Sequence, residues 1–213
     1  NGTDQAWGGN RARPDLVKKF FPNGNIPNLE SYATAEAAGD DRALFNGVNR
    51  TLDNDDVATF KSGFGVAKFT NFKTDGSAGH DATFPDADFF LMRAAEAYLN
   101  FAEADARING GQPTKEGTEA INAIRKRANA SPREDKGYSL NDICDEWSRE
   151  FSFEGRRRMD LIRFNRFGGN VNYNWQWKGG TKEGRNFSKD LNIFAIPTNE
   201  LTSNKNLIQN PGY

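Results

Sequence analysis

The 213 residues predict a mainly α-helical chain, with tetratricopeptide-like helical hairpins, long irregular loops and a few short strands. Three observations carry this expectation. Residues 88–108 and 115–130 repeat apolar side chains at helical spacing, separated by the Gly110-Gly111 stop and Pro113. Ser139 and Asp142 stand at capping-box spacing ahead of a third periodic run. Segments 1–87 and 168–213 are rich in turn-forming residues and hold no sustained period.

The first zone, 1–87, carries short apolar runs such as DLVKKFF (15–21) and FGVAKFTNF (64–72), which read as short helices and strands in long connections. The second, 88–167, holds the helices. Helix 88–108 follows Pro85 and takes Asp86 or Asp88 as N-cap. Leu91, Ala95, Tyr98, Leu99, Ala102 and Ala106 share one side, and Ala94, Ala97, Phe101, Ala104 and Ile108 widen it. A helix apolar over more than half its circumference is expected to be packed on two sides. Helix 115–130 places Ala120, Ile121, Ile124 and Ala128 on one face and closes a hairpin of about tetratricopeptide length.

The third helix is expected from Ser139 to about Phe167, ending at Gly168-Gly169. Its wheel gives a stripe of Ile143, Trp147, Phe151, Gly155 and Ile162, with Glu154 and Arg158 inside it and Glu150 at its edge. These three are read as structural ion pairs, since an arginine four residues after a glutamate is the favourable helical orientation. Gly155, unfavourable inside a helix, implies close packing by another backbone or a large side chain. The third zone, 168–213, is an irregular loop and tail, and all three zones are expected to belong to one domain.

Twenty-eight basic against 29 acidic residues leave a net charge of −1, which offers no global field for nucleic acid or a membrane surface. Cys144 stands alone, excluding an internal disulfide or a thiolate cluster. No run approaches the roughly 20 apolar residues of a membrane span. The opening NGTDQAWGGN has neither an initiator Met nor a signal-peptide apolar core, so a fragment or processed chain is expected.

Reaction chemistry finds little purchase. No GxSxG, Walker A, GxGxxG or HExxH pattern occurs. Glu150 and Glu154 lack the histidine three residues on that a carboxylate-bridged metal site needs. His80 lies near Asp81, Asp86 and Asp88, where acid/base or metal chemistry competes with a plain loop histidine beside capping aspartates. Asp53, Asp55 and Asp56 lack the glycine and distant glutamate of a calcium loop. No catalytic residue, metal or cofactor is therefore expected. What stands out is aromatic rings in polar, glycine-rich loops: Trp7, Tyr173, Trp175 and Trp177. Such faces stack on sugar rings whose hydroxyls take directed hydrogen bonds, or else they anchor long loops onto the helical body.

The succession FLMRAAEAYLNFAEA (90–104), AINAIRKRA (120–128), WSREFSFEGRRRMDLIRF (147–164), FAIPTNEL (194–201) and NLIQNPGY (206–213) resembles the C-terminal half of SusD/RagB-family proteins. WGGNRARPDLVKKFF (7–21) and GDDRALF (39–45) extend the likeness upstream; Ala195 replaces a usual proline and Met159 a common aromatic. The resemblance implies a non-catalytic, surface-exposed outer-membrane lipoprotein with a tetratricopeptide-like scaffold. Such a protein captures glycan for a SusC-type TonB-dependent transporter, and its lipid anchor would lie outside this C-terminal portion. A helical protein-interaction scaffold without sugar binding is the alternative, and an enzyme using His80 or the Glu150/Glu154 pair a third reading.

Overall fold

Arg11 and Ala12 open as a strand in the computed structural model, which describes residues 9–134 and 137–213. The chain is mainly helical, with a small three-stranded sheet among the described residues, and divides into two units, Asn1–Glu154 and Gly155–Tyr213.

In the first unit, β1 (Arg11–Ala12) and β2 (Phe45–Asn46) flank β3 (Phe64–Val66), both pairings antiparallel, with Ala12 opposite Phe64 and Phe45 opposite Val66. Helix α1 (Pro14–Val17) starts on a proline, whose fixed φ and missing N–H suit a first turn, and tightens into a 3-10 turn over Lys18–Phe20. Val17, Phe20 and Phe21 thereby meet Ala12, Ala43, Phe45 and Phe64 in a buried cluster. The ring of Phe20 meets that of Phe45 edge-on at 5.5 Å. Each fully buried phenylalanine contributes about 2 kcal/mol. Helix α2 (Ser31–Ala38) closes on Gly39 in the left-handed region, φ +59.

The helical layer comprises α3 (Ala94–Ile108), α4 (Lys115–Arg127) and α5 (Leu140–Glu150), with α3 packed on both others. Leu99, Ala102 and Ala106 on α3, Ile121 and Ile124 on α4, and Ile143, Cys144 and Trp147 on α5 are all buried. The Trp147 indole N–H donates to Glu103 at 2.9 Å, which satisfies the one polar edge of a buried ring. Ser139 and Asp142 form the capping box the sequence predicts.

The structure departs from the sequence reading in four places. Helix α3 begins at Ala94 rather than 88, because Arg93 is extended (φ −150, ψ 158) and its side chain is committed elsewhere. Only one face of α3 is covered within its unit: Tyr98, Phe101 and Ile108 on the other are 47%, 51% and 84% exposed. The third helix is not continuous to Phe167. Helix α5 ends at Glu150, Phe153 and Gly155 take φ +61 and +78, and α6 (Arg157–Arg163) follows. The ending has a tertiary cause. Lys68 Nζ donates to the carbonyls of Glu150 (3.0 Å) and Ser152 (2.9 Å), and Arg93 Nη2 to that of Glu150 (2.7 Å), which gives helix-end acceptors cationic partners from far along the chain. A Cβ on Gly155 would meet nothing within 4 Å, so the glycine serves the left-handed turn and not close packing.

The second unit contains α6, 3-10 turns at Lys178–Gly180 and Lys189–Asn192, and α7 (Thr198–Ser203). Its tail folds back on itself. Ile196 and Gln209 exchange backbone-to-amide hydrogen bonds, both 2.9 Å, and the Tyr213 hydroxyl donates to Ile193 O at 2.8 Å. Among the described residues no helix is long and apolar enough to cross a membrane.

Candidate functional site

Helix α5 places Glu146 and Glu150 one turn apart, and Glu154 follows in the turn after it. Glu146 accepts from Arg42 (2.7 Å), Arg125 (2.9 Å) and Arg149 (2.7 Å). Glu150 accepts from Arg42 (2.9 Å) and Arg127 (2.8 Å) and is also bound by Arg93. Arg93 grips Glu154 through Nε and Nη2, both at 2.8 Å, while lying 4.1 Å over the Phe151 ring; Lys68 binds the same carboxylate. Burial pushes the Glu146 carboxyl up, but the surrounding arginines more than reverse this and hold it at about 2. Glu150 and Glu154 are likewise driven down against the effect of burial by hydrogen bonds from Arg93 together with Arg42 or Lys68. A general acid must carry a proton near the working pH. These carboxylates stay ionised with their oxygens occupied, so the cluster ties segments together rather than transferring protons.

The second unit builds a different assembly. Trp175 stacks on Phe167 at 6.0 Å and 22°, and meets Phe187 and Tyr173 edge-on, both at 6.5 Å. Arg157 Nη2 donates to the Tyr173 hydroxyl at 2.6 Å, and the Arg166 guanidinium lies 4.7 Å over that ring. Lys178 is buried, its Nζ 4.8 Å from the Trp175 centroid and donating to Tyr173 O at 2.7 Å. Burial holds the Lys178 pKa below the ordinary lysine value. Tyr173 and Trp175 are half-buried, and Trp177 is 37% exposed.

Arg158, expected to pair with Glu154 along one helix, instead donates to Leu191 O (3.1 Å) and Asn192 O (2.9 Å) and covers Phe194 at 4.1 Å. The break after α5 removes the helical spacing on which that pairing depended. Trp7 lies outside the described residues. His80 is exposed, its imidazole against Asp86 and its backbone N–H donating to that carboxylate at 2.9 Å. Among the described residues no group of His, Cys, Asp or Glu side chains could hold a metal ion. Sequence reasoning missed Phe167, Phe187 and Lys178 in the aromatic assembly. The available signal was WKGG: two glycines directly after a lysine permit a left-handed reversal that folds it under the preceding ring.

Residues 4–213 match the model of the SusD family. Over its full length the chain is 37% identical to the starch-binding protein SusD of Bacteroides thetaiotaomicron and covers 43% of that protein, so it spans less than half of this relative. Among solved structures, a SusD-like protein from Bacteroides fragilis is similar with a TM-score of 0.61 at 21% identity, over 95% of this chain and 47% of that one. A laminarin-binding SusD-like protein follows with a TM-score of 0.54 at 22% identity, over 96% and 38%. At those identities the structural likeness speaks for the fold alone.

Proposed function

The chain belongs to the SusD family, and we propose on that premise that it is the C-terminal portion of a non-catalytic protein that captures glycan at the cell surface. Its 37% identity to a starch-binding relative across the whole chain carries this reading. In the full-length protein we place the hairpin α3–α4 in a tetratricopeptide-like superhelix, anchored by lipid to the outer membrane. That protein delivers its ligand to a SusC-type TonB-dependent transporter. Trp7, Tyr173, Trp175 and Trp177 are the proposed ligand residues, with stacking as their role. The charged helix α5 supports a non-catalytic reading, because its glutamates are fully engaged by arginines.

The test is calorimetric titration of the full-length protein with soluble starch and laminarin, the polysaccharides named by its relatives. Binding without release of reducing ends is the expected result. Starch and laminarin both giving no heat, with an outer-membrane transporter still co-purifying, would favour the scaffold reading instead.

A further inference from the structure

Trp177 occupies a backbone conformation, φ +69 and ψ 11, that bulky side chains rarely adopt. The same loop uses glycine at 179, 180 and 184, with φ +63, +86 and +77. At 177 alone in this run it sets an indole where glycine would cost nothing. Residues held in sparsely populated regions persist where the surroundings over-determine them, and they gather at ligand clamps.

The surroundings are visible. Trp177 N–H donates to Lys182 O (3.2 Å), Gly180 N–H to Trp177 O (3.1 Å), Lys178 N–H to Trp175 O (2.9 Å) and Arg185 N–H to Lys178 O (2.9 Å). Beneath this knot the Lys178 side chain turns inward and is 1% exposed. Its ammonium donates to Tyr173 O at 2.7 Å and Asn186 Oδ1 at 3.3 Å, and sits 4.8 Å and 5.4 Å from the Trp175 and Phe187 ring centroids. These partners belong to both limbs of the loop, 173–175 and 186–187, so the one cation closes it. Trp175 is spent on that interior, stacked on Phe167. Trp177 keeps 37% of its surface exposed.

We infer that Trp177 is a preformed stacking platform for a glycan ring and that Lys178 is the positioning residue that locks it in place, while Trp175 serves the loop's interior. The inference rests on the glycan-capture reading and narrows it, since it moves Trp175 from the proposed ligand residues to the loop's interior. A ring fixed before the ligand arrives spares the ordering cost at binding.

The experiment is a double-mutant cycle in the full-length protein, with affinity for soluble starch and laminarin read by calorimetry and Tm by thermal unfolding. Trp177→Gly is expected to raise Tm, because glycine relieves the left-handed position, and to weaken binding about 10-fold. Lys178→Met is expected to weaken binding by a similar factor alone and to add nothing in the Trp177→Gly background, since it acts through the indole. Where Lys178→Met does not fold, Lys178→Arg is read in the same cycle. A lowered Tm in Trp177→Gly, undiminished affinity, or additive losses would each overturn the inference. Wild-type protein that binds neither polysaccharide overturns the glycan reading itself and this assignment with it.

Discussion

Around Glu146 and Glu150, the guanidinium groups of Arg42, Arg93, Arg125, Arg127 and Arg149 meet carboxylates, whereas around Lys178 a single ammonium meets a carbonyl, an amide oxygen and two ring faces. The first arrangement joins residues up to 108 positions apart; the second spans at most 9. Burying ions against ions returns little net stability but penalises any other arrangement of the chain. Burying one ion against rings and carbonyls shapes a short loop.

The largest effect should come from removing a hub carboxylate. Glu150→Ala strands Arg42, Arg93 and Arg127 around an empty position and is expected to cost about 3–5 kcal/mol in urea unfolding. A loss below 1 kcal/mol would erase the distinction between the two regions. Next in size is acid. The Glu146 pKa falls from 4.5 to about 2 on folding, so its ionised form stabilises the fold by about 3 kcal/mol at neutral pH. That stability is complete above the unfolded value of 4.5 and is lost as the pH drops toward 2. Unfolding curves at pH 7, 4 and 2.5 should decline accordingly, and a flat profile would sink the account. In the aromatic loop, Phe167→Ala removes the stacking partner of Trp175, for about 1.5 kcal/mol and a loss of near-UV circular dichroism. The smallest effect is assigned to Lys115→Ala, whose 3.8 Å pair with Glu119 is solvent-exposed; under about 0.5 kcal/mol is expected.

Much of the helical layer was legible because its signals are local. Ser139 and Asp142 fix the start of α5, and Ile121, Ile124, Ile143 and Trp147 mark the buried faces of α4 and α5. The break after Glu150 was illegible for the opposite reason. It depends on Lys68 and Arg93, which lie 82 and 57 residues upstream of Glu150 and read on any local pattern as surface charges. Arg93 also misdirected the start of α3, since the apolar run 89–92 continues the helical pattern while Arg93 itself is extended. In the candidate site the tryptophans announced themselves by standing in polar loops. Their surroundings did not, because Lys178 folds under Trp175 and the only local mark that separates it from Lys182 is the pair of glycines that follows it.

The clasp on α5 also has a consequence for how the chain acquires its structure. Lys19 and Asp145 are 126 residues apart, and Lys68 and Glu154 are 86 apart. Closing loops of that length costs entropy before any contact repays it, which slows folding. The α3–α4 hairpin can assemble from neighbours early, while the sheet and the arginine cluster wait for distant segments to find one another. Once formed, those late contacts bridge the long connection between β3 and α3. A protease nick near residues 74–79 is therefore expected to leave the two ends bound, a single particle made of two pieces.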